Sequence, residues 1–316
     1  MSFLKAIIAV LVASTTLTAC HPSARTPHRA VGHELAFDGV TRSYRVYAPP
    51  ARGPRPGLVL VLHGWKGSGA EIERRTRYRF DALAERDGFI VAYPDASAGQ
   101  WRSGHPGETT TSDDVGFLSA LIDALTATYG VDPARVYVTG FSNGASMTYR
   151  LACERPDRIA AIAPVSGGMA ARMTPGCAQA SRRPIPLLAV HGTADPVVPF
   201  DSGELEGNLA YWVRRNGCET TATRVYLPDL DPDDGQRVRR ETYPGCAAGA
   251  DVSLYAIEGG GHHWPGGDEP VFFEPHGAES RDFDAAAVIW RFLTSHPAPP
   301  TPDRTPVPAR SYQRRS

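Results

Sequence analysis

The sequence has no surplus of charge of either sign. Its 316 residues carry 33 lysines and arginines against 34 aspartates and glutamates, and the arginines are scattered rather than clustered. That balance excludes the electrostatic attraction on which nucleic-acid binding rests. None of the ten histidines stands in a His-x-x-x-His pair, and none pairs with cysteine in a pattern suited to zinc, so neither a metal nor a cofactor is expected. The apolar run at residues 6–12 is too short to span a bilayer. What the chain does have is a 42% hydrophobic content, ample for one sizeable core.

The first twenty residues read as an export signal: Lys5 supplies a positive start, 6–12 an apolar stretch, and Leu17-Thr18-Ala19-Cys20 a small-residue end. Leu-x-Ala-Cys resembles the bacterial lipobox, in which the cysteine is acylated and becomes the mature N-terminus. Cys20 is then a lipidation site, 21–32 a tether and a membrane the partner at that end; plain secretion is the alternative. Export makes disulfides possible. Setting Cys20 aside leaves Cys153, Cys177, Cys218 and Cys246, with three possible pairings. Between Cys218 and Cys246 the text reads strand ("TRVYLP"), turn (Asp231-Pro232-Asp233-Asp234-Gly235), strand ("RVRRETYP"). A hairpin there brings its ends together, which favours Cys218–Cys246 and leaves Cys153–Cys177.

Strand and helix patterns alternate along the rest. Residues 35–48 alternate in strand fashion, and "GLVLVLHG" (57–64) is a continuous apolar run of the kind buried on both faces. A helical stretch continues through Arg86, and "GFIVAYP" (88–94) is a strand. Asp113 or Asp114 can cap a helix to about residue 129, with Leu118, Leu121, Ile122 and Leu125 at helical spacing. Strands at 135–140, 158–167, 185–192 and 252–259 alternate with helices at 143–154, 203–216 and 282–293. Such alternation implies right-handed crossovers and a mostly parallel, doubly wound sheet in an α/β domain over 33–296. From 297 to 316 the proline-rich text has no apolar periodicity and reads as a disordered tail.

Within this frame the stretch Gly140-Phe141-Ser142-Asn143-Gly144 breaks a strand and opens a helix. Glycines there remove Cβ atoms that would collide in a tight turn, so Ser142 is raised at the carboxyl edge of the sheet as in a nucleophile elbow. The helix from Asn143 aims its free N–H groups at the same point. A serine needs a base and the base needs an orienting carboxylate, in the chain order Ser, acid, His on such a fold. Asp195 follows the strand in "LLAVHGTADPVVP", and His262 and His263 follow the last strand in "LYAIEGGGHHWPGG". An oxyanion hole is expected from the N–H of Asn143 and that of Trp65 in "LVLVLHGWKGSG". His63 and His191 read as structural supports of their loops. Trp101 and Trp264 could line an aromatic, sugar or polyester site; the alternative for each is loop packing.

The runs His63-Gly64-Trp65, Gly140 to Met147, His191-Gly192-Thr193-Ala194-Asp195 and Gly259 to Gly266 resemble the polyhydroxybutyrate depolymerase/feruloyl esterase family of α/β-hydrolases, over about residues 33 to 296. The resemblance implies an α/β-hydrolase fold with Ser142 as nucleophile, Asp195 as acid and His262 as base, and it supports the two disulfides. His263 stands where the family often has threonine, which places it beside the base as a possible substrate contact. The implied activity is a serine carboxylesterase acting through an acyl-enzyme on extracytoplasmic esters, either polyhydroxybutyrate-type oligoesters or feruloyl and acetyl esters of plant polysaccharide. A peptidase of the same fold and a non-catalytic binding lipoprotein are the competing readings.

Overall fold

The computed structural model describes residues 29–170, 177, 183–267 and 276–299. The expected export signal with Cys20, residues 21–28 of the expected tether and residues 300–316 of the expected tail lie outside the described residues, while Val31 and Gly32, expected in the tether, belong to the first strand.

Ten strands form one sheet in the spatial order β1-β2-β4-β3-β5-β6-β7-β10-β9-β8. Its centre is β4 (Ile90–Pro94), β3 (Leu58–Leu62), β5 (Val136–Phe141), β6 (Ala161–Val165), β7 (Leu187–Gly192) and β10 (Val252–Glu258), all parallel to one another. Every residue of β3 to β7 is buried, as continuous apolar runs require when both faces are covered. Antiparallel strands extend both sides: β2 (Val40–Tyr47) and β1 (Val31–Phe37) next to β4, β9 (Arg237–Tyr243) and β8 (Thr223–Tyr226) next to β10. The sheet is thus mostly parallel.

Among the described residues six helices clothe it: α1 (Gly69–Arg75), α2 (Arg79–Asp87), α3 (Asp114–Tyr129), α4 (Asn143–Glu154), α5 (Glu204–Arg215) and α6 (Ala285–Thr294). Because side chains alternate along a strand, Leu58, Leu60 and Leu62 join one core with α3, α4 and α5. Val59 and Val61 join a second core with α1, α2 and α6 on the opposite face. The doubly wound class holds.

Three local expectations shift. Residues 35–48 are not one strand: the sheet begins at Val31, and Asp38 and Gly39 turn β1 into β2 with φ of 50° and 75°. This is the Asp-Gly hairpin turn, whose left-handed backbone suits both residues. The stretch through Arg86 divides into α1 and α2, because Arg77 and Tyr78 are left-handed at φ 53° and 56°. The last helix starts at Ala285 with Asp284 as its cap, the carboxylate accepting the Ala287 N–H at 3.1 Å; Asp282 instead accepts the Leu230 N–H at 2.8 Å. Asp113 is the cap of α3, accepting the Gly116 N–H at 2.9 Å. Both disulfides form as expected, Cys153–Cys177 and Cys218–Cys246.

Candidate active site

Ser142 sits between β5 and α4 with φ 55° and ψ −117°, a conformation that only a tightly determined turn maintains. Glycine is required on both sides of it. A Cβ on Gly140 would lie 2.5 Å from the Gly144 carbonyl oxygen, and one on Gly144 would lie 2.4 Å from that of Leu62. The Ser142 N–H is held by the Val165 carbonyl at 3.0 Å, and its own carbonyl accepts the Ser146 N–H at 3.1 Å. The elbow is therefore built as the glycine spacing implied, with the serine at the head of a twelve-residue helix.

The loop after β3 lies directly on this turn: a Cβ on Gly64 would come 3.6 Å from Ser142 Cβ. His63 secures the loop through both ring nitrogens. Nδ1 donates to the Gly64 carbonyl at 2.7 Å and Nε2 accepts the Ala96 N–H at 3.0 Å. Burial holds its pKa below the ordinary value, so the ring stays neutral and suits this donor–acceptor role. Trp65 follows, 60% exposed, beside the serine.

Asp195 and His262 meet although 67 residues separate them: His262 Nδ1 donates to Asp195 Oδ2 at 2.8 Å. Asp195 Oδ1 accepts the N–H groups of Val197 and Val198, both at 2.8 Å. Burial of Asp195 opposes its ionisation, but the His262 imidazole and these two N–H groups outweigh it and hold the carboxyl below its ordinary pKa. With the proton on Nδ1, the lone pair is on Nε2. The His262 ring lies 4.9 Å from that of Phe141, the residue before Ser142. His191 braces the Asp195 loop by donating from Nε2 to the Val198 carbonyl at 2.8 Å, and burial lowers its pKa too.

The neighbouring His263 faces elsewhere. Its Nε2 donates to the Gly277 carbonyl at 2.9 Å, its own carbonyl accepts from Ser166 Oγ at 3.0 Å, and it is buried rather than at a rim. Trp101 and Trp264 are also buried. Trp101 donates from Nε1 to the His63 carbonyl at 3.0 Å, and its backbone is held by the Asn143 side chain. Trp264 packs edge-on against Phe80 at 6.0 Å. None of these three is among the described residues that line the Ser142 cleft, so loop packing is the reading the structure favours for both tryptophans.

That cleft has a volume of about 400 Å³. Beside Ser142, Asn143 and Trp65 it is lined by Ser146 and Val197 and by residues that no sequence motif singled out, among them His105, Gly168 and Glu204. The loop presenting His105 is fastened by Glu108, which accepts from the N–H groups of Ser103, Gly104 and His105 at 2.8–3.0 Å and from Ser103 Oγ at 2.6 Å. Burial opposes the Glu108 charge, and these four bonds overcome it to lower the pKa.

A doubly wound sheet, a serine elbow and an Asp–His pair at its carboxyl edge define an α/β-hydrolase. Comparison with known proteins agrees. The family model described as Phospholipase/Carboxylesterase matches residues 102–222. The chain is 32% identical over 285 residues to the putative esterase NocK of Nocardia uniformis subsp. tsuyamanensis, covering 82% of this chain and 81% of that protein. It is 32% identical over 222 residues to feruloyl esterase B of Piromyces equi, covering 65% of this chain but 39% of that longer protein. An acetyl xylan esterase from Aspergillus awamori shares the fold with a TM-score of 0.59 at 20% identity, over 74% of this chain and 94% of that one. The chain belongs to the α/β-hydrolase esterase family that includes the feruloyl esterases, and it is a carboxylic ester hydrolase.

Proposed function

We propose that Ser142, His262 and Asp195 act as a catalytic triad through an acyl-enzyme. The observation that carries the reading is the 2.8 Å bond from His262 Nδ1 to Asp195, beside a serine on a strained elbow. In this mechanism His262 Nε2 takes the Ser142 proton as Oγ attacks the ester carbonyl. Asp195 fixes the imidazole tautomer and offsets the positive charge that develops on it. The N–H groups of Trp65 and Asn143 receive the oxyanion. His262 returns the proton to the departing alcohol; a water then gives a proton to His262 and attacks the acyl carbonyl, and His262 passes that proton to Ser142 Oγ as the acyl–oxygen bond breaks and the acid leaves.

The proposed substrates are extracytoplasmic: feruloyl or acetyl esters of plant polysaccharide, which the names of the relatives favour, or polyhydroxybutyrate-type oligoesters. Export, with acylation at Cys20, is part of the same proposal, and the two disulfides support an oxidising compartment. Ser142→Ala is expected to lower hydrolysis of 4-nitrophenyl acetate by at least about a thousandfold, because the remaining site keeps only binding and oxyanion contacts. Its melting temperature should stay close to the parent's. Turnover within about tenfold of the parent would reject Ser142 as nucleophile.

A further inference from the structure

One wall of the Ser142 cleft is polar in a way the triad does not use. Glu204, the first residue of α5, and His105, from the loop between β4 and α3, both line it. His105 Nε2 lies 3.0 Å from Ser146 Oγ, 3.2 Å from the Gly168 carbonyl and 3.8 Å from Glu204 Oε1. A carbonyl only accepts, so this nitrogen carries the hydrogen and the ring presents a donor edge beside the Glu204 carboxylate.

Glu204 is incompletely served. Its side chain keeps 34% of its surface open, yet Oε1 is enclosed with no hydrogen-bond partner. One turn along α5, Asn208 is 5% exposed and its Nδ2 is likewise enclosed and unpartnered. Both groups flank Gly168, where a Cβ would stand 2.6 Å from Glu204 Oε1 and 3.1 Å from Asn208 Nδ2. Only glycine leaves this part of the wall to Glu204, with Asn208 enclosed behind it. Glu204 Oε1 and Asn208 Nδ2 are both closed to a ligand, so the part of Glu204 that meets the cleft is the open remainder of its carboxylate, beside the His105 N–H edge. The group complementary to such a pair is a hydroxyl, which donates once and accepts once.

We propose that Glu204, backed by Asn208 and positioned by His105 and Gly168, reads a free hydroxyl on the substrate, so that the cleft selects hydroxyl-bearing esters over their ethers. The idea rests on Ser142 being the nucleophile of this cleft. Sugar and phenolic hydroxyls share the required chemistry.

Affinity is measured by calorimetry on Ser142→Ala protein, so that turnover plays no part. Two matched pairs are used: methyl ferulate against its 4-O-methyl ether, and a methyl 2-O-acetyl-xyloside against its 3,4-di-O-methyl ether. The hydroxylated member of at least one pair should bind about tenfold tighter or more, the scale of a hydrogen bond to a charged group, and the responding pair identifies the source of the hydroxyl. Adding Glu204→Ala should bring that ratio close to one. Equal affinities within both pairs, no detectable binding of any member, or a ratio unchanged by Glu204→Ala would each overturn the proposal. Hydrolysis of 4-nitrophenyl acetate by the unmodified protein reads the esterase mechanism separately, since that ester carries no hydroxyl.

Discussion

Two adjacent imidazoles, His262 and His263, show how one position along a loop separates the proposed base from a structural group. The backbone bends at both residues, with the His263 N–H on the Gly261 carbonyl at 3.1 Å, and the two rings take different partners. His262 reaches Asp195, while His263 is spent on the Gly277 carbonyl. His262→Ala should therefore reduce turnover of 4-nitrophenyl acetate by at least about a hundredfold, as loss of a triad base does. His263→Ala should reduce it far less and instead lower stability by about 1 kcal/mol, the worth of one buried hydrogen bond. Steady-state rates and thermal melts of both variants check this, and the reverse ranking of rates would move the role of base to His263.

Where β2, β4, α1 and α2 meet, their contacts depend on a buried polar knot. Glu73 of α1 accepts the Ala30 N–H at 3.0 Å and Arg45 Nε of β2 at 2.6 Å, while the Tyr93 hydroxyl of β4 donates to Asp81 Oδ1 of α2 at 2.6 Å. Burial pushes the Asp81 carboxyl up to about 8; the Tyr93 bond opposes this, and the Glu73 charge adds to it. In the unfolded chain the same group releases its proton near its ordinary value of 3.8. Between those two values the folded state holds a proton that the unfolded state has lost, so stability must fall as pH rises through that window. Melting temperature is expected to drop from about pH 5 to about pH 8, and Asp81→Asn, a neutral group of the same shape, should flatten the decline. An equal decline in both proteins would show that the pH dependence arises elsewhere.

At the scale of the molecule, the proposed leader and the four remaining cysteines carry one consistent argument for export. Cross-links that close loops 24 and 28 residues apart suit an oxidising compartment, and an acylated Cys20 would keep the domain at a membrane face. Expressed with residues 1–28, the chain should fractionate with membranes and incorporate labelled fatty acid, whereas Cys20→Ala should do neither. An unchanged membrane fraction in that variant would make the lipobox reading wrong.

The parallel sheet, the elbow and the order Ser142, Asp195, His262 were legible because each rests on a local rule. Buried strands are continuous apolar runs, a glycine is needed where a Cβ would strike backbone, and each candidate follows a strand end. The hairpin spacing that paired Cys218 with Cys246 is local in the same sense. The break between α1 and α2 was not legible, since Arg77 and Tyr78 carry no turn signature and neither is glycine. Nor could the text separate a tryptophan in a site from one in a core: Trp101 and Trp264 follow strand or loop signals, yet both are buried by segments distant in the chain. The cleft wall is the clearest case. His105, Gly168 and Glu204 come from three separate segments and share no motif, so only the packing of α5 and two loops against the end of the sheet brings them together.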